Sequence, residues 1–402
     1  MFKNHENLNV IKNALKDEIK KQKSTINLIA SENFVSKNVL KACGSVIQNQ
    51  YAEGLPHHRY YEGCENCDII EDKCNELIQR IFRVQYSNCQ PHSGASANLA
   101  AYSAACKYWK CKPQDIIGIG FDLNSGGHLT HFNSMTISGH LYNSYNYGLD
   151  NMGVIDYNRI EELLLEHKNK HVILSLGFSA YSNFINYKRL SEFIIKNGIE
   201  CIIVHDVSHI AGIIAANKCP NPMDYSWGKS ISILTSTTHK TLRCARHAFI
   251  ATNDEKMAKR INQAVFPYLQ GGPLVNMIAG VAAGLSEIVD DFPKYQKYID
   301  NVLENMTALI NGIKSTNTKI KFVLGGSSNH LCLLDLKATK YNGNDAEQLL
   351  KKHGIICNRN TLLGDTVSAP TGVRLGTAYM TSKGWNKKKF YKLGQKIGKI
   401  LN

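Results

Sequence analysis

The 402 residues carry 47 lysines and arginines against 33 aspartates and glutamates, a net charge of +14, with 43% hydrophobic and 20% charged residues. That composition excludes a disordered or fibrous chain, and no stretch approaches the ~20 apolar residues of a membrane span. The basic residues are scattered rather than alternating with aromatics, so the excess points to small anions such as phosphorylated cofactors, with no nucleic-acid or membrane partner expected.

In chain order, the opening segment lacks the apolar centre of a signal peptide. It spaces Val10, Ile11, Leu15 and Ile19 as on one helix face, which predicts a surface amphipathic helix in a cytoplasmic chain, an organellar location being the alternative. Cys64-Glu-Asn-Cys67 matches half of a metal or redox motif, but no second pair follows. Its cysteines, like the rest of the 12, are expected to be reduced thiols holding no metal. Residues 67–82 place Ile70, Cys74, Leu77, Ile78 and Ile81 on one helical face, and 97–109 form a small-residue helix suited to close packing. Apolar runs at 116–123, 171–178, 199–207 and 230–237 are too short for helices, and helical stretches such as 157–168 lie between them. Such alternation predicts an α/β fold with a mainly parallel sheet covered on both faces.

From about residue 280 the pattern changes to a long helical stretch, then a strand, turn and strand over 321–337. A helix initiated by Asp345, a short strand and a terminal helix follow. The division predicted is 1–279, a helical arm and a large domain, and 280–402, a long linking helix and a smaller α+β domain.

Ligands of open α/β sheets bind at the carboxyl ends of strands. There the sequence collects His128 and His131, Ser179, His205-Asp206, His209, and Thr237-Thr238-His239-Lys240. Ser93-Gly94-Ala95 forms a turn just before a helix, where backbone N–H groups and the dipole favour phosphate. A phosphate cradle, a strand-end acid and a lysine one βα unit later point together to pyridoxal 5'-phosphate. Lys240 supplies the amine for a Schiff base, Asp206 keeps the pyridine nitrogen protonated, and His128 stacks on the ring.

The stretches "LIASENFVSKNVL", "YAEGLPHHRYY", "SGGHLTH", "GFSAYS", "HDVSHIAG", "TSTTHKTLR", "FPYLQGGP" and "GVRLGTAYMTSKGW" resemble the serine hydroxymethyltransferase family, in its order and near its spacing, over residues 25 to about 386. The resemblance implies fold type I, with a seven-stranded sheet in the large domain, and interconversion of serine and glycine with tetrahydrofolate as co-substrate. It implies cofactor contacts from Ser93, Gly94, His128, Ser179, Asp206, His209, His239 and Lys240, and from Gly271 and Gly272 of a neighbouring subunit. Ser31 and Arg374 would hold the substrate carboxylate. Tyr51 and Glu53 would reach in from the partner, Glu53 as the proton-transferring group, and Tyr61 would lie by the reacting carbon. Leu123, Gly127, His128 and Leu129 would touch folate. A site shared in this way implies a homodimer, with a tetramer as an extension.

Four stretches depart from the family pattern: Tyr60-Tyr61-Glu62-Gly63, Ser93-Gly94-Ala95, Cys244-Ala245-Arg246, and a shortened loop over 360–372 that lacks the folate-contacting motif. Two alternatives stay open at this level. One is a folate-independent serine/threonine aldolase or transaldolase of the same fold. The other is a binding protein, on RNA, that has lost catalysis.

Overall fold

The computed structural model describes residues 6–366 and 368–402; residues 1–5, and residue 367 within the shortened loop, lie outside the description. A seven-stranded sheet forms its centre. In spatial order the strands are Tyr86–Asn88, Ala248–Thr252, Ile231–Thr237, Ile202–Asp206, His171–Gly177, Ile116–Phe121 and Asn143–Tyr147. Ala248–Thr252 runs antiparallel to both its neighbours, and the other pairings are parallel. Ile116–Phe121 is buried along its whole length and Ile202–Asp206 along all but its last residue, which is why these runs are continuously apolar rather than alternating.

Helices cover both faces of this sheet. Glu65–Phe82 sets Cys74, Leu77, Ile78, Ile81 and Phe82 into one core. Gly94–Trp109 lays its alanines on the opposite face with Ile173, Val204, Ile233 and Ile250. Ser93 caps that second helix, its Oγ accepting from the Ser96 N–H at 3.2 Å. Gly118 and Gly120 let residues 131–132 lie directly on the sheet. A Cβ at 118 would sit 2.5 Å from the Phe132 ring and one at 120 would sit 2.2 Å from the His131 carbonyl oxygen.

A second core gathers around an antiparallel sheet ordered Lys321–Phe322, Leu331–Asp335, Gly372–Gly376 and Asn358–Asn360, covered by Phe292–Lys314 and Lys387–Ile400. Leu28 joins it because Ile26–Asn27 pairs in parallel with Ile355–Ile356. The segment after the first helix therefore crosses from the start of the chain to the second core.

Two details differ from the sequence expectation. The long linking helix is two helices, Val275–Asp290 and Phe292–Lys314. Asp291 leaves helical geometry at φ −135° and accepts from the Lys294 N–H, and Pro293 can occupy the first turn because no N–H is needed there. The helix assigned to Asp345 begins at Gly343 instead, capped by Asn342, whose Oδ1 accepts from the Asp345 N–H. Glu6–Ser24 forms as expected, with Val10, Ile11, Leu15 and Ile19 all more than half exposed.

Candidate active site

The parallel register fixes what meets at the carboxyl edge. Gly177 pairs with Asp206, and Asp206 with Thr235, so Ser179, Asp206 and the 237–240 run emerge side by side. Ser179, Asp206, Thr237, His239 and Lys240 line a cavity of about 420 Å³ shared with Ser31, Ser93, Gly94, His128, His209 and Arg374. These eleven residues, all singled out from the sequence, therefore meet in one place.

Asp206 is the most heavily supported group there. Its Oδ2 receives Asn98 Nδ2 at 2.8 Å and lies 3.1 Å from His131 Nε2, and its Oδ1 accepts from the Ser208 N–H at 3.0 Å. Burial alone would raise its pKa, but the bond and charge of His131, with His128 and Lys240, hold it well below the usual carboxylate range. Asp206 thus stays an anion inside the protein. His128 is held neutral, its pKa pushed down to about 4 by burial, by His131 and by Lys240, against the pull of Asp206.

Lys240 is 8% exposed and, among the described residues, makes no salt bridge. Burial lowers its amine to about 8, Asp206 opposing the shift and Arg374 and Arg246 adding to it. A neutral amine is therefore within reach near physiological pH, as a nucleophilic lysine requires. Its backbone is fixed from the distant N-terminal segment: Asn33 Nδ2 donates to the Lys240 carbonyl and to the Tyr298 hydroxyl, both at 2.8 Å. The loop closes with Thr238 Oγ1 donating to the Ala245 carbonyl and the Cys244 N–H donating to the Thr238 carbonyl. Just before Cys244-Ala245, Arg243 takes the left-handed conformation at φ 62°. Cys244 packs on Gly284, where a Cβ would meet its Sγ at 2.6 Å, so the glycine accommodates the larger side chain.

The other end of the cavity suits a phosphate. The N-terminus of Gly94–Trp109 opens there under Ser93, while Thr237 Oγ1 and His239 Nδ1 are buried with no partner. Buried polar atoms without partners are costly unless a ligand meets them. Gly94 is needed for space, since a Cβ would lie 2.7 Å from Thr237 Cγ2. A compact anion with an aromatic body, an aldehyde and a basic ring nitrogen fits this set, and pyridoxal 5'-phosphate has all four features.

Arg374 reaches in from Gly372–Gly376. Its Nη1 donates to the Ser179 carbonyl at 2.6 Å and its Nε to Asn358 Oδ1 at 3.2 Å. Burial lowers its pKa to about 10, still a cation and suited to a carboxylate. His209 Nδ1 lies 3.2 Å from His330 Nε2, and the two buried rings stack across the junction of the two cores.

Tyr51, Glu53, Tyr61, Gly271 and Gly272 do not line this cavity. Tyr51, Glu53, Gly271 and Gly272 come together elsewhere: Tyr51 Oη is 3.5 Å from Glu53 Oε1, and a Cβ at Gly271 would touch that oxygen at 3.3 Å. The Tyr61 ring meets the Tyr51 ring edge-on at 5.3 Å, completing the cluster. Leu123, Gly127, His128 and Leu129 line a second cavity of about 330 Å³ with Arg359, Asn360 and Pro370. His128 and Ser179 border both cavities, so the two adjoin. The shortened loop is held by Asp365, whose carboxylate accepts from the Leu362 and Thr371 N–H groups and the Thr371 hydroxyl. Cys64 and Cys67 are buried free thiols. Among the described residues the only trio placed to ligate a metal is His128, His131 and Asp206, which belongs to the cavity.

Sequence reasoning gave no role to Asn98, Asn33, His330 or Ser208. Asn98 left one trace, an amide inside a helix otherwise built of small residues. Asn33 and His330 act across contacts that only the folded chain creates.

A buried lysine with no salt-bridge partner among the described residues, sharing a cavity with an aspartate whose side chain is 8% exposed, at the carboxyl edge of a mainly parallel seven-stranded sheet, defines a pyridoxal-phosphate-dependent transferase of fold type I. Comparison with known proteins narrows the class. A family model described as serine hydroxymethyltransferase matches residues 5–397. Serine hydroxymethyltransferase 2 of Ralstonia nicotianae is 42% identical over 97% of this chain and 88% of its own length. The enzymes of Pelagibacter ubique (42%; 96% and 85%) and Francisella tularensis subsp. novicida (40%; 93% and 86%) are similar on the same scale. The chain belongs to the serine hydroxymethyltransferase family.

Proposed function

We propose that this chain interconverts L-serine and glycine, passing the one-carbon unit to tetrahydrofolate, with pyridoxal 5'-phosphate held in the Lys240 cavity. The observation that carries the reading is the buried Lys240 amine, with no salt-bridge partner among the described residues, sharing its cavity with Asp206 and Arg374. When bound, the cofactor supplies an electron sink for the pair left on the amino acid's α-carbon. The chain does the rest. Ser93, the Gly94 N–H, Thr237 and His239 would hold the phosphate, and the Asp206 carboxylate would keep a proton on the ring nitrogen. His128 would cover the ring, and Ser179 and His209 would meet its substituents. Arg374, assisted by Ser31, orients the substrate carboxylate, and Lys240 offers a neutral amine.

Glu53 moves a proton at the one-carbon unit, with Tyr51 and Tyr61 beside it, reaching the site from a second subunit that also lends Gly271 and Gly272. The exposed Tyr51 and Tyr61 and the exposed apolar face of Glu6–Ser24 support a homodimer. Tetrahydrofolate occupies the adjoining cavity of Leu123, Gly127, His128 and Leu129. A cytoplasmic location and a division near residue 280 belong to the same reading. No described helix is long and apolar enough to cross a membrane.

The test is glycine formation from L-serine by the cofactor-loaded protein, with and without tetrahydrofolate. Glycine and methylenetetrahydrofolate in equal amounts, dependent on folate, support the reading. Cleavage indifferent to folate assigns an aldolase, and no turnover assigns a binding protein.

A further inference from the structure

A proton-transferring carboxylate has to be fixed in space without being consumed by partners, and the chain around Glu53 meets that need through its backbone. Among the described residues, the Glu53 carboxylate's only hydrogen-bond partner is Tyr51 Oη, at 3.5 Å. The three consecutive carbonyls around it are all engaged. Arg59 Nη1 donates to the Ala52 carbonyl at 2.9 Å and to the Gly54 carbonyl at 2.8 Å, and the Tyr60 N–H donates to the Glu53 carbonyl at 3.0 Å.

Arg59 is itself locked. Its Nε donates to Asp68 Oδ1 at 2.8 Å and its Nη2 to Glu71 Oε2 at 2.7 Å, with the Arg59 side chain 3% and the Glu71 side chain 2% exposed. Gln90 closes the circuit by donating from Nε2 to both the Gly54 carbonyl and Glu71 Oε1. Gly54 makes the tight hairpin possible at φ +101°, where a Cβ would lie 2.3 Å from the His58 carbonyl oxygen. Buried charges cost free energy that a surface turn has no reason to spend. A guanidinium is suited to this task because its planar fork reaches two carboxylates and two carbonyls at once, which an ammonium cannot.

We infer that Arg59, locked by Glu71 and Gln90, is a positioning residue that sets the Glu53 carboxylate for proton transfer by clamping the peptide on both sides of it. The inference rests on the role given to Glu53 above. Arg59→Lys keeps the charge and loses the fork. It is expected to lower kcat for serine cleavage by about 10–100-fold, as a small misplacement of a reacting group does, with the KM for serine within about twofold. In a Glu53→Gln background the same change is expected to cost less than about twofold, because coupled residues are non-additive. Hydrogen exchange adds a readout independent of turnover. Residues 51–61 are expected to exchange about tenfold faster in Arg59→Lys while 65–82 stay protected.

Equal losses in both backgrounds, or unchanged exchange over 51–61, would overturn the inference. If Arg59→Lys does not fold, Gln90→Met, which removes one of the two donors to Gly54, carries the same cycle and the same exchange test. A wild-type protein without activity defeats the functional reading alone, and the exchange arm still decides the clamp.

Discussion

His131 Nε2 stands 3.1 Å from Asp206 Oδ2, sealed from solvent, and Asn98 Nδ2 reaches the same oxygen at 2.8 Å. Bonds to a buried charge are worth more than neutral ones and are costly to leave unmade. His131→Phe keeps the ring and removes the nitrogen. It is expected to lower kcat/KM for serine by roughly 10–100-fold, about 1.5–3 kcal/mol, and to weaken cofactor retention. Steady-state kinetics beside a cofactor titration would check both.

Gly94 is a packing position at the phosphate end. With a Cβ 2.7 Å from Thr237 Cγ2, Gly94→Ala has to displace either Thr237 or the helix start. Overpacking of this kind costs about 1–3 kcal/mol. The variant is expected to bind pyridoxal phosphate at least tenfold more weakly, while the unloaded protein melts only a few degrees lower. Equilibrium dialysis and thermal melts separate the two effects.

Arg374 is held by Asn358 and the Ser179 carbonyl so that its remaining donors face the cavity. Arg374→Lys keeps the charge but loses the two-point contact with a carboxylate. The KM for serine is expected to rise by about 10–100-fold, since a charge-assisted bond is worth about 1.5–3 kcal/mol. Cofactor affinity is expected to stay the same.

Lys240 gives a pH signature. Its amine is lowered from 10.5 to about 8 by burial, with Arg374 and Arg246 adding to the shift. Between those values the unfolded chain binds more protons than the folded one, so stability from this site rises with pH through about 8 to 10.5 and is least below 8. Lys240→Met removes the effect. The stability of the unloaded wild type relative to the variant is expected to grow by on the order of 2 kcal/mol across that window. Urea melts at a series of pH values measure it.

Much of this arrangement is legible in the sequence. Strands buried on both faces show as continuous apolar runs, and in a parallel sheet their ends must collect at one edge, which is how Asp206, Ser179 and Lys240 meet. Contacts that depend on tertiary register are not legible. Asn33 supports Lys240 from 207 residues away, and His330 meets His209 across the junction of the two cores. The break at Asp291 was hidden because its neighbours keep a helical apolar pattern on both sides, whereas Asp and Pro in sequence also suit an unbroken surface turn. The same limit holds for Arg59, to which sequence reasoning assigned no role and which Glu71 and Gln90 help enclose only in the folded chain.

Lys240 is the residue proposed to take the cofactor covalently. Borohydride reduction of the protein loaded with pyridoxal phosphate, followed by peptide mass mapping, tests it directly. One stoichiometric pyridoxyl group is expected on the peptide containing Lys240, absent in Lys240→Ala. Modification of a different lysine, or none at full cofactor occupancy, would contradict it.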